Sequence, residues 1–192
     1  MKIKDILFLP VRLLLNHNQV SALGLTSLLQ ERMDICAKYI KTPVLDIGCG
    51  EENYLIKQMG IKGYGLDVFP FRSINVCADS RCLPFKEKTF QSVSFIGSFN
   101  YMKNRENVLG QVKRVLDKQG VLLITITAVF WSKLRHSLAW WRKEQYLIAK
   151  DGKYGFSIME LEQLLESEGF RVIKKVNYFF GISTLFIVSP RG

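Results

Sequence analysis

The stretch that most constrains the fold is a short apolar run closed by glycines, Val44-Leu45-Asp46-Ile47-Gly48-Cys49-Gly50. A run this short that ends in glycines is typical of a buried parallel strand entering a tight turn. Glycines leave the turn bare, so backbone N–H groups can approach a ligand where the next helix begins. Asp46 stands at the carboxyl end of the strand, which is where open α/β sheets bind ligands. The stretch therefore predicts a ligand site.

Strand patterns recur along the rest of the chain. We expect further strands at residues 62–68, 74–78, 92–97 and 121–127, and a terminal strand pair at 172–179 and 184–189. A connection of only five residues, 69–73, separates the second strand from the third, which leaves room for a single turn and no crossover helix.

Helical patterns alternate with these strands. We expect helices at residues 27–40, 52–59 and 104–117, with Asn104 capping the third of them and Gly120 ending it. The residues Ser157 to Glu160 form a capping box that opens a later helix, closed by Gly169. Alternating strands and helices that finish in a hairpin predict a doubly wound α/β sheet.

Three carboxylates follow successive predicted strands. Asp67 lies 21 residues after Asp46, and an acidic residue about 20 residues beyond a glycine turn binds ribose hydroxyls. Asp79 follows the third strand. Carboxylates at neighbouring strand ends repel one another unless a ligand offers an amine, hydroxyls or an exocyclic N–H group. S-adenosylmethionine offers all three.

Five motifs follow one another along the chain: VLDIGCG, GLDVFP, ADSRCLPFKEKTFQSVSFIGSFNYM, VLGQVKRVLDKQGVLLIT and FSIMELEQLLESEGFRV. In this order they resemble the class I S-adenosylmethionine-dependent methyltransferases, most of all the small-molecule type 11 group. The resemblance implies a Rossmann-like, doubly wound seven-stranded sheet with an antiparallel last strand. It also implies one methyltransferase domain over residues 1–192, with S-adenosylmethionine as cofactor and S-adenosylhomocysteine as product.

The resemblance implies a role for individual residues as well. The methionine end of the cofactor would be held by Asp46, Gly48, Cys49 and Gly50. The ribose would be bound by Asp67, with Val68 under the adenine, and the adenine amino group by Asp79 and Ser80. The sulfonium and the acceptor would be bordered by Ser98 and Phe99. The family often has a histidine shortly after the fourth strand, where this chain continues with Asn100 and Tyr101. These two residues are candidates to orient an acceptor, and the alternative for Tyr101 is that it simply packs.

Two alternatives stay open. Glu52 stands where the family usually has a third glycine, so a non-catalytic methyltransferase-fold binding protein with a weakened cofactor site is a second hypothesis. An NAD-dependent dehydrogenase is a weaker one, since a dinucleotide fingerprint wants glycine at position 53 and the chain has Asn53.

Acceptor choice is expected to lie in residues 130–154, a lid or substrate-binding insertion that contains Trp131, His136 and several basic residues. The alternative is that its apolar stripe packs on the sheet while its charges are solvated. Methyl transfer is an in-line displacement that depends mainly on positioning, so no catalytic residue is predicted. His17 and His136 can reach a substrate, although a solvated surface position is favoured for each.

The net charge and the cysteine content indicate which kinds of partner and compartment to expect. The 192 residues carry a net charge of +10, which suggests an anionic acceptor, an anionic membrane face or RNA, although no RNA-binding module is visible. The four cysteines lack CxxC spacing and are expected to be reduced, mostly buried thiols, with no metal site, in a cytoplasmic protein. Residues 1–41 form an N-terminal helical segment. Its basic, apolar first 15 residues are expected to fold over the domain, or to lie on a membrane surface.

Overall fold

The structure is a computed structural model that describes residues 3–15, 17–127 and 157–191. These residues divide into two compact units, Met1–Tyr39 and Ile40–Gly192. No helix in the described part of the chain is long and apolar enough to cross a membrane.

The N-terminal unit consists of short helices, α1 (Ile3–Leu7), α2 (Leu9–Leu14), α3 (His17–Ala22) and α4 (Leu28–Ala37). Arg12 is buried at its centre and donates to Asp5 O at 2.8 Å, to Thr26 O at 2.7 Å and to Glu31 Oε2 at 2.6 Å. Asp5 Oδ1 in turn accepts the Thr26 N–H at 2.9 Å. A buried charge needs partners of this kind, so Arg12 joins three segments that are too short to be stable alone.

The helix predicted at residues 27–40 is confirmed as α4, which begins after Ser27. The Ser27 hydroxyl caps it by accepting the Gln30 N–H at 3.0 Å. His17 is half-buried, with Nδ1 lying 2.7 Å from Ser27 Oγ. The expectation of a solvated His17 is therefore wrong, because the polar end of the ring has a partner inside the unit.

The second unit is built on a seven-stranded sheet. Its strands are β1 (Val44–Ile47), β2 (Gly63–Asp67), β3 (Val76–Cys77), β4 (Phe90–Ile96), β5 (Leu116–Thr127), β6 (Phe170–Tyr178) and β7 (Ser183–Pro190), in the order β3-β2-β1-β4-β5-β7-β6. The first five strands pair in parallel, and β7 is antiparallel to both of its neighbours. The predicted doubly wound sheet with an antiparallel last strand is confirmed.

Two α-helices supply apolar faces to the core of this unit. Helix α5 (Arg105–Val115) buries Val108, Leu109, Val112 and Val115, and helix α6 (Ile158–Ser167) buries Leu161 and Leu165. The capping box at the start of α6 is confirmed: Ser157 Oγ accepts the Glu160 N–H at 3.1 Å, and Glu160 Oε2 accepts the Ser157 N–H at 2.9 Å. All four cysteines lie in the described part of the chain, and the expectation that they are mostly buried is wrong. Cys36 is buried and Cys49 half-buried, but Cys77, on the edge strand β3, and Cys82 are exposed.

Some local predictions are wrong. The helix expected at residues 52–59 is a short π-helix, Tyr54–Gln58. It begins only at Tyr54 because Asn53 adopts a left-handed conformation, with φ of 43°. The third strand shrinks from residues 74–78 to Val76–Cys77, because the Ile74 N–H closes a turn onto Phe71 O. The single turn expected in this connection is present at residues 72–73.

The boundary between α5 and β5 is also misplaced in the sequence prediction. Asn104 precedes α5, but it lies in the left-handed region at φ of 48° and its side chain makes no capping hydrogen bond. The helix ends at Val115 instead of 117, and Gly120 lies within β5. The strand begins early because Leu116 pairs with Phe90. The regular pairing then resumes at Ser92 and Val121, so the irregular residues between the two pairs lie in β5.

Candidate functional site

Asp46 lies on a central strand and is nearly inaccessible to solvent. Its side chain is 1% exposed, and Oδ1 accepts a hydrogen bond of 2.7 Å from the hydroxyl of Ser94, its register partner on β4. No basic side chain in the described residues pairs with it. Burial raises the pKa of Asp46 to about 7; the Ser94 hydrogen bond opposes the rise and the negative charge of Asp67 adds to it.

Asp67 occupies the end of the adjacent strand and holds the glycine turn in place. Its Oδ2 accepts the Gly50 N–H at 2.9 Å, and its Oδ1 accepts the Phe69 N–H at 3.1 Å. The side chain is only 8% exposed. The parallel pairing of β1 with β2 therefore brings two carboxyl groups to one edge of the sheet.

The turn after β1 is left-handed at both glycines, with φ of 74° at Gly48 and 68° at Gly50. A Cβ atom on Gly48 would run into the side chain of Ser98, whereas one on Gly50 would meet nothing. The Ser98 hydroxyl donates to Ile47 O at 2.6 Å. The glycine at position 48 therefore lets the end of β4 close onto the turn.

The backbone N–H groups of this turn are used within the protein. Those of Gly48 and Cys49 donate to Leu66 O, at 2.8 and 3.2 Å, and that of Gly50 donates to Asp67. The prediction that these N–H groups face a ligand is therefore wrong. Burial, together with the charges of Asp46 and Asp67, raises the pKa of the Cys49 thiol to about 12.

The carboxylate of Asp79 forms an ion pair with Arg81. Arg81 donates from Nε to both carboxylate oxygens at 3.0 Å and from a terminal nitrogen to Oδ2 at 2.6 Å. These hydrogen bonds lower the pKa of Asp79. Ser80 follows, with its hydroxyl 3.8 Å from Met102 Sδ. The structure thus joins Asp46 and Asp67 as predicted and pairs the third carboxylate with a cation.

Val68 and Phe69, directly after Asp67, form an apolar surface beside the carboxyl groups. They are 60% and 49% exposed. The predicted position of Val68 under a flat ring needs such an uncovered surface.

A 3₁₀ turn, Phe99–Tyr101, follows β4. Phe99 is fully buried, with its ring 5.0 Å from that of Phe95, so its side chain is a core group. Asn100 and Tyr101 are half-buried. Arg105 donates to the carbonyls of Phe99 and Asn100, at 3.4 and 2.8 Å, and burial lowers the pKa of this guanidinium.

The predicted lid at residues 130–154, with Trp131 and His136, lies outside the described residues.

Comparison with known proteins decides the family. A methyltransferase-domain model matches residues 16–175, which is most of the chain. The chain belongs to the methyltransferase-domain family. The class I resemblance predicted from the five motifs is thereby confirmed.

Relatives and solved structures agree with this placement. An uncharacterised protein of Methanocaldococcus jannaschii is 29% identical over 171 residues, which span 72% of this chain and 63% of that relative. A structure of an S-adenosylmethionine-dependent methyltransferase of Thermotoga maritima, described as a possible histamine N-methyltransferase, has a TM-score of 0.65 at 18% identity, covering 85% of this chain and 89% of the other.

A third similar structure contains the product form of the cofactor. It is the 1,6-didemethyltoxoflavin-N1-methyltransferase of Burkholderia thailandensis with bound S-adenosylhomocysteine, with a TM-score of 0.57 at 14% identity, covering 85% of this chain and 77% of the other. At these identities the structural similarity shows a shared fold.

Sequence reasoning missed three residues of the site. Ser94 binds Asp46, Arg81 binds Asp79, and Met102 lies against Ser80. Ser94 carried a usable signal, because a serine inside an otherwise apolar buried strand needs a hydrogen-bond partner on a neighbouring strand.

The two departures from common sequence patterns have different structural outcomes. Glu52 is exposed, with no hydrogen bond or ion pair within the described residues. Asn53 is fully buried, and its Nδ2 donates to Ser73 O and to Asn75 Oδ1, both at 3.0 Å. Asn53 therefore ties the glycine turn to the loop between β2 and β3.

Proposed function

We propose that this methyltransferase transfers a methyl group from S-adenosylmethionine to a small-molecule or lipid-like acceptor. The observation that carries the proposal is the pair of buried carboxyl groups, Asp46 and Asp67, on either side of the Gly48–Gly50 turn. Family membership supports the reaction class, and the geometry supports the manner in which the cofactor would be held.

The methionine end of the cofactor suits Asp46. This carboxyl group is buried with the Ser94 hydroxyl as its donor, and among the described residues it lacks a basic partner. A buried carboxylate without a cation is costly, and an ammonium group beside it would remove much of that cost. We therefore assign the amino group of the methionine moiety to Asp46.

The ribose and the adenine suit the end of β2. Each oxygen of Asp67 accepts one backbone N–H and keeps a further lone pair, which leaves capacity for two ribose hydroxyls. The uncovered Val68 provides an apolar surface for the adenine ring. Asp79 and Ser80 would meet the adenine amino group, with Asp79 retaining acceptor capacity beyond its ion pair with Arg81.

When bound, S-adenosylmethionine would supply an electrophilic methyl group on a sulfonium. A nucleophilic atom of the acceptor would bond to the methyl carbon in line as the carbon–sulfur bond breaks, with S-adenosylhomocysteine as the leaving group. The chain's own contribution is to hold the site rigid, because catalysis of this displacement depends on alignment. Gly97 N–H donates to Thr125 Oγ1 at 2.8 Å and Ser98 bonds to Ile47 O, so the end of β4 is fixed to both neighbouring strands. Residues 98–101 follow this fixed point, and we place the acceptor beside Asn100 and Tyr101.

The first test is calorimetric titration of S-adenosylmethionine, and separately of S-adenosylhomocysteine, into the full chain. We expect binding in the micromolar range, abolished by Asp67→Ala because the variant loses both the ribose acceptor and the Gly50 contact. Asp34→Asn, an exposed carboxylate on α4 in the N-terminal unit, is the matched control and is expected to bind normally. Failure of the folded wild-type protein to bind either compound would contradict the proposal and favour the binding-protein alternative.

The second test addresses the acceptor. The protein is incubated with S-adenosylmethionine carrying a deuterated methyl group and with separate aqueous and lipid extracts, and products are followed by mass spectrometry. We expect the label in a small molecule or a lipid, and none with Asp67→Ala. Label found only in macromolecules would refute the proposed acceptor class while leaving methyl transfer intact.

A further inference from the structure

The N-terminal unit presents a group of large apolar side chains to solvent. Leu7 is 73% exposed, Leu23 59% and Phe8 50%, with Ile6 at 44%. We call these four residues, together with Lys4, the N-terminal apolar tip. Burial of leucine and phenylalanine is a main source of stability, so several such side chains left uncovered together mark a contact surface.

Two structural links bring the tip together. Leu7 and Phe8 follow Lys4 by three and four residues, so they lie on the same side of the first helical turn, and Phe8 N–H donates to Lys4 O. The Lys4 ammonium donates to Gly24 O, which places the turn that carries Leu23 beside α1. The tip therefore combines apolar side chains from two segments with one ammonium group.

The charge around the tip has one sign. The first 30 residues contain three basic residues, Lys2, Lys4 and Arg12, and one acid, Asp5. Asp5 is 1% exposed and accepts the Thr26 N–H, so its carboxylate faces the interior. Glu31, the next acid along the chain, is paired with the buried Arg12. An anionic surface approaching the tip thus meets an exposed ammonium group and no exposed acid from these 30 residues.

Much of the tip also lies outside the domain that the family shares. The methyltransferase-domain match begins at residue 16, after Lys4, Ile6, Leu7 and Phe8. The part of the tip on and next to α1 therefore lies outside the domain that the family shares.

We propose that the N-terminal apolar tip docks this protein onto an anionic lipid surface. Leucine and phenylalanine side chains enter the boundary between headgroups and acyl chains, and lysine binds lipid phosphate, so the two kinds of side chain act together. RNA would use the positive charge but would leave Leu7 and Leu23 uncovered. The proposal is independent of methyl transfer, because it concerns a separate unit of the chain.

The test is sedimentation of the full chain with vesicles of phosphatidylcholine alone and of phosphatidylcholine with an equal part of phosphatidylglycerol. We expect binding to the anionic vesicles that weakens as salt is raised. The double variant Leu7→Ser with Phe8→Ser is expected to bind about tenfold less, and Lys4→Gln, which keeps a donor for Gly24 O, to lose part of the binding.

A matched control separates the tip from general surface hydrophobicity. Met159→Ser with Ile173→Ser removes two apolar side chains of the larger unit that are 64% and 56% exposed, and it should bind like the wild type. Leu23→Ser removes an apolar side chain of the tip that does not lie on α1. It should also weaken binding, so the test still gives a result if the Leu7 and Phe8 substitutions disturb the folding of α1.

Three results would overturn the proposal. The first is equal binding of wild type and tip variants to the anionic vesicles. The second is binding that does not depend on the anionic lipid. The third is absence of vesicle binding by the folded wild-type protein. Self-association or RNA binding that the Leu7→Ser and Phe8→Ser changes abolish would then show that the tip serves a second copy of the chain or a nucleic acid.

Discussion

Replacing Asp46 by asparagine is expected to stabilise the folded protein at alkaline pH while it weakens cofactor binding. The amide keeps the shape of the carboxyl group and can still accept the Ser94 hydroxyl, but it carries no charge. Burial raises the pKa of Asp46 from 3.8 to about 7. One pKa unit corresponds to about 1.4 kcal/mol, so above pH 7 the buried charge lowers the free energy of unfolding by about 4 kcal/mol.

The sign of the pH dependence follows from proton binding. The folded state holds the Asp46 proton more tightly than the unfolded chain does. Stability that is fully present below about pH 4 is therefore lost as the pH rises toward about 7. The asparagine variant has no such proton, so the difference between the two proteins must itself change over this range.

Urea unfolding of both proteins at two pH values measures this change. Relative to the wild type, the variant is expected to gain about 3 kcal/mol in free energy of unfolding between about pH 4.5 and about pH 8. Asp34→Asn, an exposed carboxylate, should show almost no such gain. A wild-type-to-variant difference that is the same at both pH values would refute a raised pKa at Asp46. Calorimetry on the same samples should show weaker binding of S-adenosylmethionine by the variant, because the ammonium loses its carboxylate partner.

Two further predictions concern the turn and a helix terminus. Gly48→Ala should lower the free energy of unfolding, measured in urea, by about 2–4 kcal/mol, and Gly50→Ala by about 1 kcal/mol. Both positions have positive φ, but only a Cβ at position 48 would collide with Ser98. Equal losses for the two variants would show that this contact does not constrain the turn. Ser157→Ala should lower the free energy of unfolding by about 1 kcal/mol by removing the capping hydrogen bond to Glu160, and a thermal midpoint equal to that of the wild type would contradict it.

Much of the fold was predictable because it depends on local patterns. The strand Val44–Ile47 and the capping box at Ser157 match their predictions. Each structure is determined by residues that lie close together in the sequence: an apolar run followed by glycines, and a serine followed three residues later by a glutamate. The terminal antiparallel pair was predicted for the same reason, from two apolar runs around Gly181.

The misplaced boundaries have long-range causes. The helix α5 stops at Val115 because Leu116 is drawn into pairing with Phe90, about 26 positions earlier in the chain. Asn104 has the right identity for a cap, but its left-handed backbone takes its side chain away from the helix N-terminus. Local propensity carries no information about either constraint.

The candidate site was predictable in its acids but not in their environment. The positions of Asp46 and Asp67 at strand ends followed from the strand pattern and its spacing. Their different surroundings did not, because Ser94 lies 48 residues from Asp46 along the chain and only the β1–β4 register brings them together. The pairing of Asp79 with Arg81 is local, and a basic residue two positions after the acid was a signal that could have been used.

The buried Asn53 has a consequence for how this sequence can vary. Its side chain fills the space that any Cβ on Gly65 would need, and its amide reaches Asn75, whose Oδ1 also accepts the Gly65 N–H at 2.9 Å. The side chain at position 53 thus occupies the space left by the missing side chain at position 65. A glycine introduced at 53 alone would leave a hole, and a side chain introduced at 65 alone would clash. With Asn53 in place, position 65 is therefore restricted to glycine.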